Sequence, residues 1–175
     1  MLNRSLFSAV FFKRLSLLVG VLLLSACYPT YNWRELPVAD GLATLAFPDK
    51  VNTVKRDIEL AGMPVTFVLT STEVNDTVFS IGWAQLPMQS TPEQRVAAQQ
   101  ALVDSLAASM GQAAPPIAMS GEMFRMQTQR DGQALDMVAR VLVHYDVAMR
   151  VVATGHPDLL TQEVSQAFMR SLKLK

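Results

Sequence analysis

The sequence predicts an α+β domain in which an antiparallel sheet carries a mid-chain helix and a C-terminal helix. Three observations predict it: short β-branched runs separated by turn residues, one long run with helical periodicity between two groups of such strands, and a closing amphipathic run. The chain has 175 residues, of which 50% are hydrophobic and 17% are charged, so it has enough apolar material for one globular domain.

The first half of the domain is predicted to consist of short strands joined by tight turns. Apolar and β-branched runs occupy residues 42–47, 51–60, 65–70 and 77–86. The segments Ala-Gly-Met-Pro at 61–64 and Asn-Asp at 75–76 supply turns between them. Because consecutive strands joined by short turns pair antiparallel, these runs predict a β-meander.

A helix is predicted to begin at Pro92. Thr91 is a good N-cap, Pro92 suits the first turn, and Glu93 complements the helix dipole. The apolar residues that follow recur at spacings of three and four, and Gly111 is a common helix terminator. Since this apolar stripe is mostly alanine, leucine and valine, we expect it to pack on the sheet.

The second half repeats the pattern of strands followed by a helix. After a loop at 112–121, strands are predicted at 122–130, 134–143 and 147–154. Asp131-Gly132 is a strong hairpin signal, and 144–146 is predicted to form the next reversal. The final run, 159–172, places its apolar side chains on one helical face, so the domain is expected to end on a docked helix.

The first 26 residues differ from everything that follows. Arg4, Lys13 and Arg14 are their only charged residues, and a continuous apolar run closes the segment. This pattern predicts a secretion signal peptide over residues 1–26. The twelve residues between Arg14 and Cys27 would extend about 18 Å as a helix, whereas a hydrocarbon core is about 30 Å thick. A permanent transmembrane helix is therefore not expected here.

The segment ends in Leu24-Ser25-Ala26-Cys27, which resembles the lipobox of bacterial lipoproteins. The resemblance implies a diacylglyceryl thioether on Cys27, cleavage before it, and acylation of the new amino group. No cofactor is expected apart from this covalent lipid. The alternative is that Cys27 is an ordinary small residue at a general signal-peptide junction. The lipobox divides the chain into three segments: a signal peptide (1–26), a lipidated tether (27–32) and a single α+β domain (33–175).

The resemblance also implies where the protein works. Bacterial lipoproteins often stay at the inner membrane when Asp follows the cysteine, whereas Tyr28 follows it here, which favours the periplasmic face of the outer membrane. The expected partners are that membrane, through the lipid anchor, and another envelope protein. Lys+Arg and Asp+Glu both total 15, and no Gly-rich phosphate loop occurs. Nucleic acid and nucleotides are therefore not expected partners.

The order of elements carries a second resemblance. Phe47-Pro48 after a short strand, the Gly-containing hairpin, the mid-chain helix and the closing run at 167–172 resemble the PsbP/Mog-like fold, including bacterial lipoproteins of the DcrB type. This resemblance would cover residues 33–175. It implies a mostly non-enzymatic role as an assembly factor, adaptor or chaperone-like binder. The first functional hypothesis is accordingly a non-catalytic envelope lipoprotein that acts as a binding, adaptor or chaperone-like module.

The sequence offers little for catalysis or metal binding. His144 and His156 are its only histidines, and no Gly-x-Ser-x-Gly elbow occurs, so a histidine-based hydrolase is the less favoured alternative and no catalytic residue is assigned. His144, Asp146 and His156 would form a two-nitrogen, one-oxygen metal set if the last hairpin folded back. Their spacing specifies no such site, so no metal is predicted.

The candidate binding surface is a stretch rich in methionine and proline around the mid-chain loop, where flexible methionines can line an adaptable apolar surface. Its residues are Met110, Pro115, Pro116, Met119, Met123 and Met126. The alternative function is a soft-metal or small-ligand carrier that uses Met119, Met123 and Met126, because thioethers suit Cu(I). In a strand, however, Met123 and Met126 point to opposite faces, and packing in an irregular core is the competing interpretation.

Overall fold

The computed structural model describes residues 31–115 and 121–175. This part of the chain forms strands β1 (Arg34–Val38), β2 (Ala43–Phe47), β3 (Asn52–Leu60), β4 (Met63–Val74), β5 (Thr77–Gln85), β6 (Met123–Arg130), β7 (Gln133–His144), β8 (Val147–Gly155) and β9 (Lys173–Leu174), helices α1 (Pro92–Ser109) and α2 (Gln162–Arg170), and a short 3₁₀ turn (Ala39–Gly41). Within these residues, neither helix is both long and apolar enough to cross a bilayer.

Six strands form the main sheet, in the order β3-β4-β5-β8-β7-β6, and every neighbouring pair is antiparallel. Strands β1, β2 and β9 form a smaller antiparallel sheet. The predicted fold class, an antiparallel α+β domain with a mid-chain and a C-terminal helix, is confirmed. Strands β1 and β9 are not among the predicted strands; both are short and largely exposed.

The main sheet is the middle of three layers. On one face it packs against α1 through a core cluster that includes Phe67, Leu102 and Val141. On the other face it packs against α2 and the small sheet through a cluster that includes Phe47 and Phe168. Because both faces of the central strands are covered, β8 is buried at all but two of its positions.

The hairpin turns explain the strand boundaries. Positive φ angles occur at both central residues of the turns at 61–62, 75–76 and 131–132, as type I′ turns require. The turn predicted over 61–64 is therefore shorter than expected, and Met63 already begins β4. Such two-residue turns match the right-handed twist of the strands that they join.

Both helices begin at a capping threonine. Thr91 and Gln94 form a reciprocal capping box: the Gln94 amide donates to Thr91 Oγ1 at 3.3 Å, and the Thr91 amide donates to Gln94 Oε1 at 2.8 Å. Thr161 caps α2 by accepting from the Val164 amide. Helix α2 therefore begins after Thr161 and not at the predicted residue 159. The residues before the cap form a separate turn, in which the amides of Leu159 and Leu160 donate to the His156 carbonyl.

The compact unit spans Tyr31–Lys175 and begins in an aromatic cluster. The ring centroids of Tyr31 and Trp33 lie 5.6 Å apart, and Trp33 stacks on Phe168 with a centroid distance of 6.5 Å. The Phe79 ring meets both edge-on. These contacts pack the start of the domain against its core.

Candidate ligand-binding groove

An open groove with a volume of about 450 Å³ lies on the α1 face of the main sheet, between α1 and strands β3 and β4. The groove exists because α1 packs chiefly on β7 and β8, at the far side of the sheet from β3. The outer part of this face is left uncovered. Val54 and Ile58 on β3 consequently remain 41% and 37% exposed, whereas Leu60 on the same face is buried.

The groove wall is mainly apolar. Its strand side is lined by Val54, Ile58, Leu60, Phe67 and Leu69, and its helix side by Ala101 and Leu102. Small-molecule sites in proteins are typically concave, mostly apolar and about 300–1,000 Å³ in volume. The shape, chemistry and size of this groove all fall within that class.

Gly82 on β5 creates space on the groove floor. A Cβ atom at this position would lie 2.8 Å from Phe67 Cε1, closer still to Phe67 Cζ, and 3.2 Å from Arg150 Nε. Only the missing side chain lets the Phe67 ring lie over β5 at this point. The Arg150 guanidinium carbon is 5.0 Å from the centre of that ring, which is cation–π geometry.

Arg150 supplies a positive charge at the inner side of the groove. It belongs to β8, is half-buried, and donates from Nη1 to Ser105 Oγ on α1 at 2.8 Å. Burial lowers the pKa of Arg150, because desolvation disfavours the charged form. An arginine nevertheless keeps its proton in proteins, so the groove contains a fixed cation beside its apolar wall.

Two further charged residues of β3 line the groove, Arg56 and Glu59, and both are exposed. Side chains alternate between the two faces of a strand. Arg56 therefore shares the groove face with Val54 and Ile58, whereas the Glu59 side chain belongs to the opposite face. The charge that the groove presents is thus positive.

The described residues of the methionine- and proline-rich surface lie in different environments. Met110 and Met126 are buried in the core cluster on the α1 face. Met123 is 47% exposed on the opposite face of β6, as the strand alternation predicted. Pro115 is half-buried in the loop after α1. The remaining two residues of that surface, Pro116 and Met119, lie outside the described residues.

The set formed by His144, Asp146 and His156 does not come together, because the last hairpin does not fold back. Asp146 lies in the β7–β8 turn, and His156 follows the other end of β8, a strand that is itself roughly 27 Å long at about 3.4 Å per residue. His144 Nε2 hydrogen-bonds the Lys175 carbonyl at 2.8 Å, and Asp146 pairs with Arg95 at 2.7 Å. Across residues 31–115 and 121–175, no three His, Cys, Asp or Glu side chains are grouped as metal ligands would be.

The predicted lipobox residues, Leu24, Ser25, Ala26 and Cys27, lie outside the described residues. The groove is not among the predicted sites. One local feature of the sequence could have indicated the groove: Arg150 is the only charged residue in the mainly apolar strand β8. A lone charge inside a buried strand needs a partner, and that partner could have been sought on the same face.

Comparison with known proteins adds one structural neighbour. The chain is similar to the solution structure of cyanobacterial PsbP (CyanoP) from Synechocystis sp. PCC 6803, with a TM-score of 0.44 and 10% sequence identity. The similarity covers 86% of this chain and 96% of that chain. No protein-family model matches this chain, and no curated protein matches it.

Proposed function

We propose that this protein is a non-catalytic binding module of the bacterial envelope that holds a small apolar molecule in the groove between α1 and strands β3 and β4. In this proposal the lipid on Cys27 tethers it to the periplasmic face of the outer membrane. The observation that carries the binding role is the preformed apolar groove, in which Val54 and Ile58 are exposed beside the buried Leu60.

The shape of the groove favours a small ligand over a protein partner. Protein interfaces of standard size bury about 800 Å² on each partner, usually over a broad surface. Here the apolar side chains converge instead on a concave volume of about 450 Å³ between one helix and two strands. A ligand chain lying in that volume would cover the exposed faces of Val54 and Ile58 and gain about 25 cal/mol per Å² of apolar area removed from water.

The polar residues of the groove support a role in binding. A hydroxyl nucleophile needs a base within hydrogen-bond distance. Ser105, the hydroxyl residue of the groove lining, donates to the Leu102 carbonyl at 2.7 Å and accepts from Arg150 Nη1. No histidine is among the described residues that line the groove. The two hydrogen bonds of Ser105 Oγ support a structural role for this hydroxyl in the proposed binding site.

The groove is tested by photolabelling the full chain in membranes of the cells that produce it. The probe is a hexadecanol that carries a photoactivatable diazirine, and we expect it to label peptides from β3. Ala101→Phe places a ring in the groove and is expected to remove most of the label. Ala97→Phe, at an exposed alanine of α1 outside the groove lining, should retain it. Undiminished labelling of Ala101→Phe would contradict the proposed site.

The anchor is tested separately, by mass spectrometry of the protein extracted from those membranes. We expect an amino-terminal peptide that begins at acylated Cys27, because several acyl chains give stable membrane attachment. Cys27→Ser removes the thiol that forms the thioether and should yield an uncleaved chain without lipid. An unmodified amino terminus at Met1 in the unaltered protein would overturn the proposed location.

A further inference from the structure

Arg150 has no counter-ion in the described part of the chain. The ion pairs there are Arg95–Asp146, Arg125–Asp136, His156–Asp158 and Lys173–Glu35. None involves Arg150, so no carboxylate oxygen of residues 31–115 or 121–175 lies within 4.0 Å of its guanidinium nitrogens. Its hydrogen bond to another side chain is the one to Ser105 Oγ, and its face lies on Phe67.

A half-buried guanidinium without an anion is an unusual arrangement. Arginine carries five N–H donors, and a charge removed from water is ordinarily compensated by an opposite charge. The Phe67 ring and Ser105 compensate it only in part, and the lowered pKa of Arg150 reflects the remaining desolvation. The site therefore favours a ligand that brings one negative charge.

The register of the sheet connects this charge to the apolar wall. Val54 pairs with Leu69, Leu69 with Gly82, and Gly82 with Arg150, so the four positions form one row across β3, β4, β5 and β8. At about 4.8 Å between neighbouring strands, the row extends about 14 Å from the backbone of Val54 to the backbone of Arg150, and the Arg150 side chain reaches back along it toward the Phe67 ring. A ligand lying along this row would have an apolar wall for its chain and a cation for its head.

We propose that the groove binds a long-chain carboxylic acid, with the carboxylate on the Arg150 guanidinium and the hydrocarbon chain lying toward Val54. This inference rests on the function proposed above and names the class of ligand. A planar guanidinium accommodates a carboxylate through two parallel hydrogen bonds. A phosphate monoester carries up to two charges and would leave one of them poorly compensated, because the other cation of the groove, Arg56, is exposed on the edge strand.

The test compares two photoactivatable probes that differ only in the head group, hexadecanoate and hexadecanol, on the full chain in membranes. We expect the acid to label β3 peptides more strongly than the alcohol. Arg150→Gln should weaken binding of the acid by about 10- to 100-fold, which is the range for losing a charge-assisted hydrogen bond, and should reduce alcohol labelling far less. Retained alcohol labelling also shows that this variant folds.

The matched control is Arg130→Gln, an arginine of β6 that donates to the Ser109 carbonyl and does not line the groove. It should leave labelling by both probes unchanged. If the acid labels Arg150→Gln as strongly as it labels the unaltered protein, the inference of a carboxylate ligand is wrong, but the proposed binding groove is not contradicted. If neither probe labels β3, the proposed function fails as well. Stronger competition by hexadecyl phosphate than by hexadecanoate would also overturn the choice of carboxylate.

Discussion

Replacing Gly82 with alanine is expected to lower the free energy of unfolding by about 3 kcal/mol, at the upper end of the usual cost of overpacking a core. The new Cβ would lie within 3.0 Å of two atoms of the Phe67 ring, so the ring must leave its place over β5. The displaced ring would disturb the stacking with Arg150. Urea denaturation followed by circular dichroism measures the change.

The double variant Gly82→Ala with Phe67→Leu separates the clash from other effects of the alanine. The smaller leucine removes the ring atoms that the Cβ would meet, so the double variant should be destabilised by clearly less than the sum of the two single variants. Strictly additive losses would show that the Phe67 contact is not the reason for the glycine.

Replacing Arg125 with leucine is expected to lower the free energy of unfolding by about 3 kcal/mol. Asp136 on β7 is completely buried, and its Oδ2 accepts a hydrogen bond from Arg125 Nη2 on β6. Removing the arginine leaves a buried carboxylate without its counter-ion, which typically costs about 3–5 kcal/mol. We expect a loss at the low end of this range because the Arg125 side chain is 42% exposed, so water already screens part of the ion pair. The same denaturation measurement checks the value.

Two further variants test this explanation. Adding Asp136→Asn to Arg125→Leu removes the unpaired charge and should recover part of the lost stability. Lys173→Gln breaks the exposed pair with Glu35 and should lower the free energy of unfolding far less than Arg125→Leu, because surface pairs contribute little. If Arg125→Leu costs no more than Lys173→Gln, the burial of Asp136 does not make its ion pair important.

The regular elements could be predicted from the sequence because their signals are local. Thr91-Pro92 marks the start of α1, and Asp131-Gly132 forms the type I′ turn that it predicted. The small sheet could not be predicted in this way. Its pairing joins Ala43 to Leu174, and β9 has only two residues, so neither periodicity nor turn chemistry reveals it.

The groove could not be predicted because it depends on where α1 lies over the sheet. The sequence of β3 predicts a strand with one apolar face, but no residue in it shows that α1 leaves Val54 and Ile58 uncovered. Composition drew attention to the methionines of the mid-chain loop instead. Of these, Met110 and Met126 fill the core, because the C-cap of α1 and the inner face of β6 turn them inward.

The pairing of β2 with β9 has a consequence for the order in which the domain can fold. The six strands of the main sheet follow one another with short hairpins or a single helical crossover, so most of their contacts can form as the chain becomes available. The pairing of β2 with β9 instead joins residues more than a hundred positions apart, so it is a contact of high sequence separation that forms late. The native state is therefore complete only after Leu174 has been synthesised, and until then the edge of β2 that pairs with β9 is unpaired.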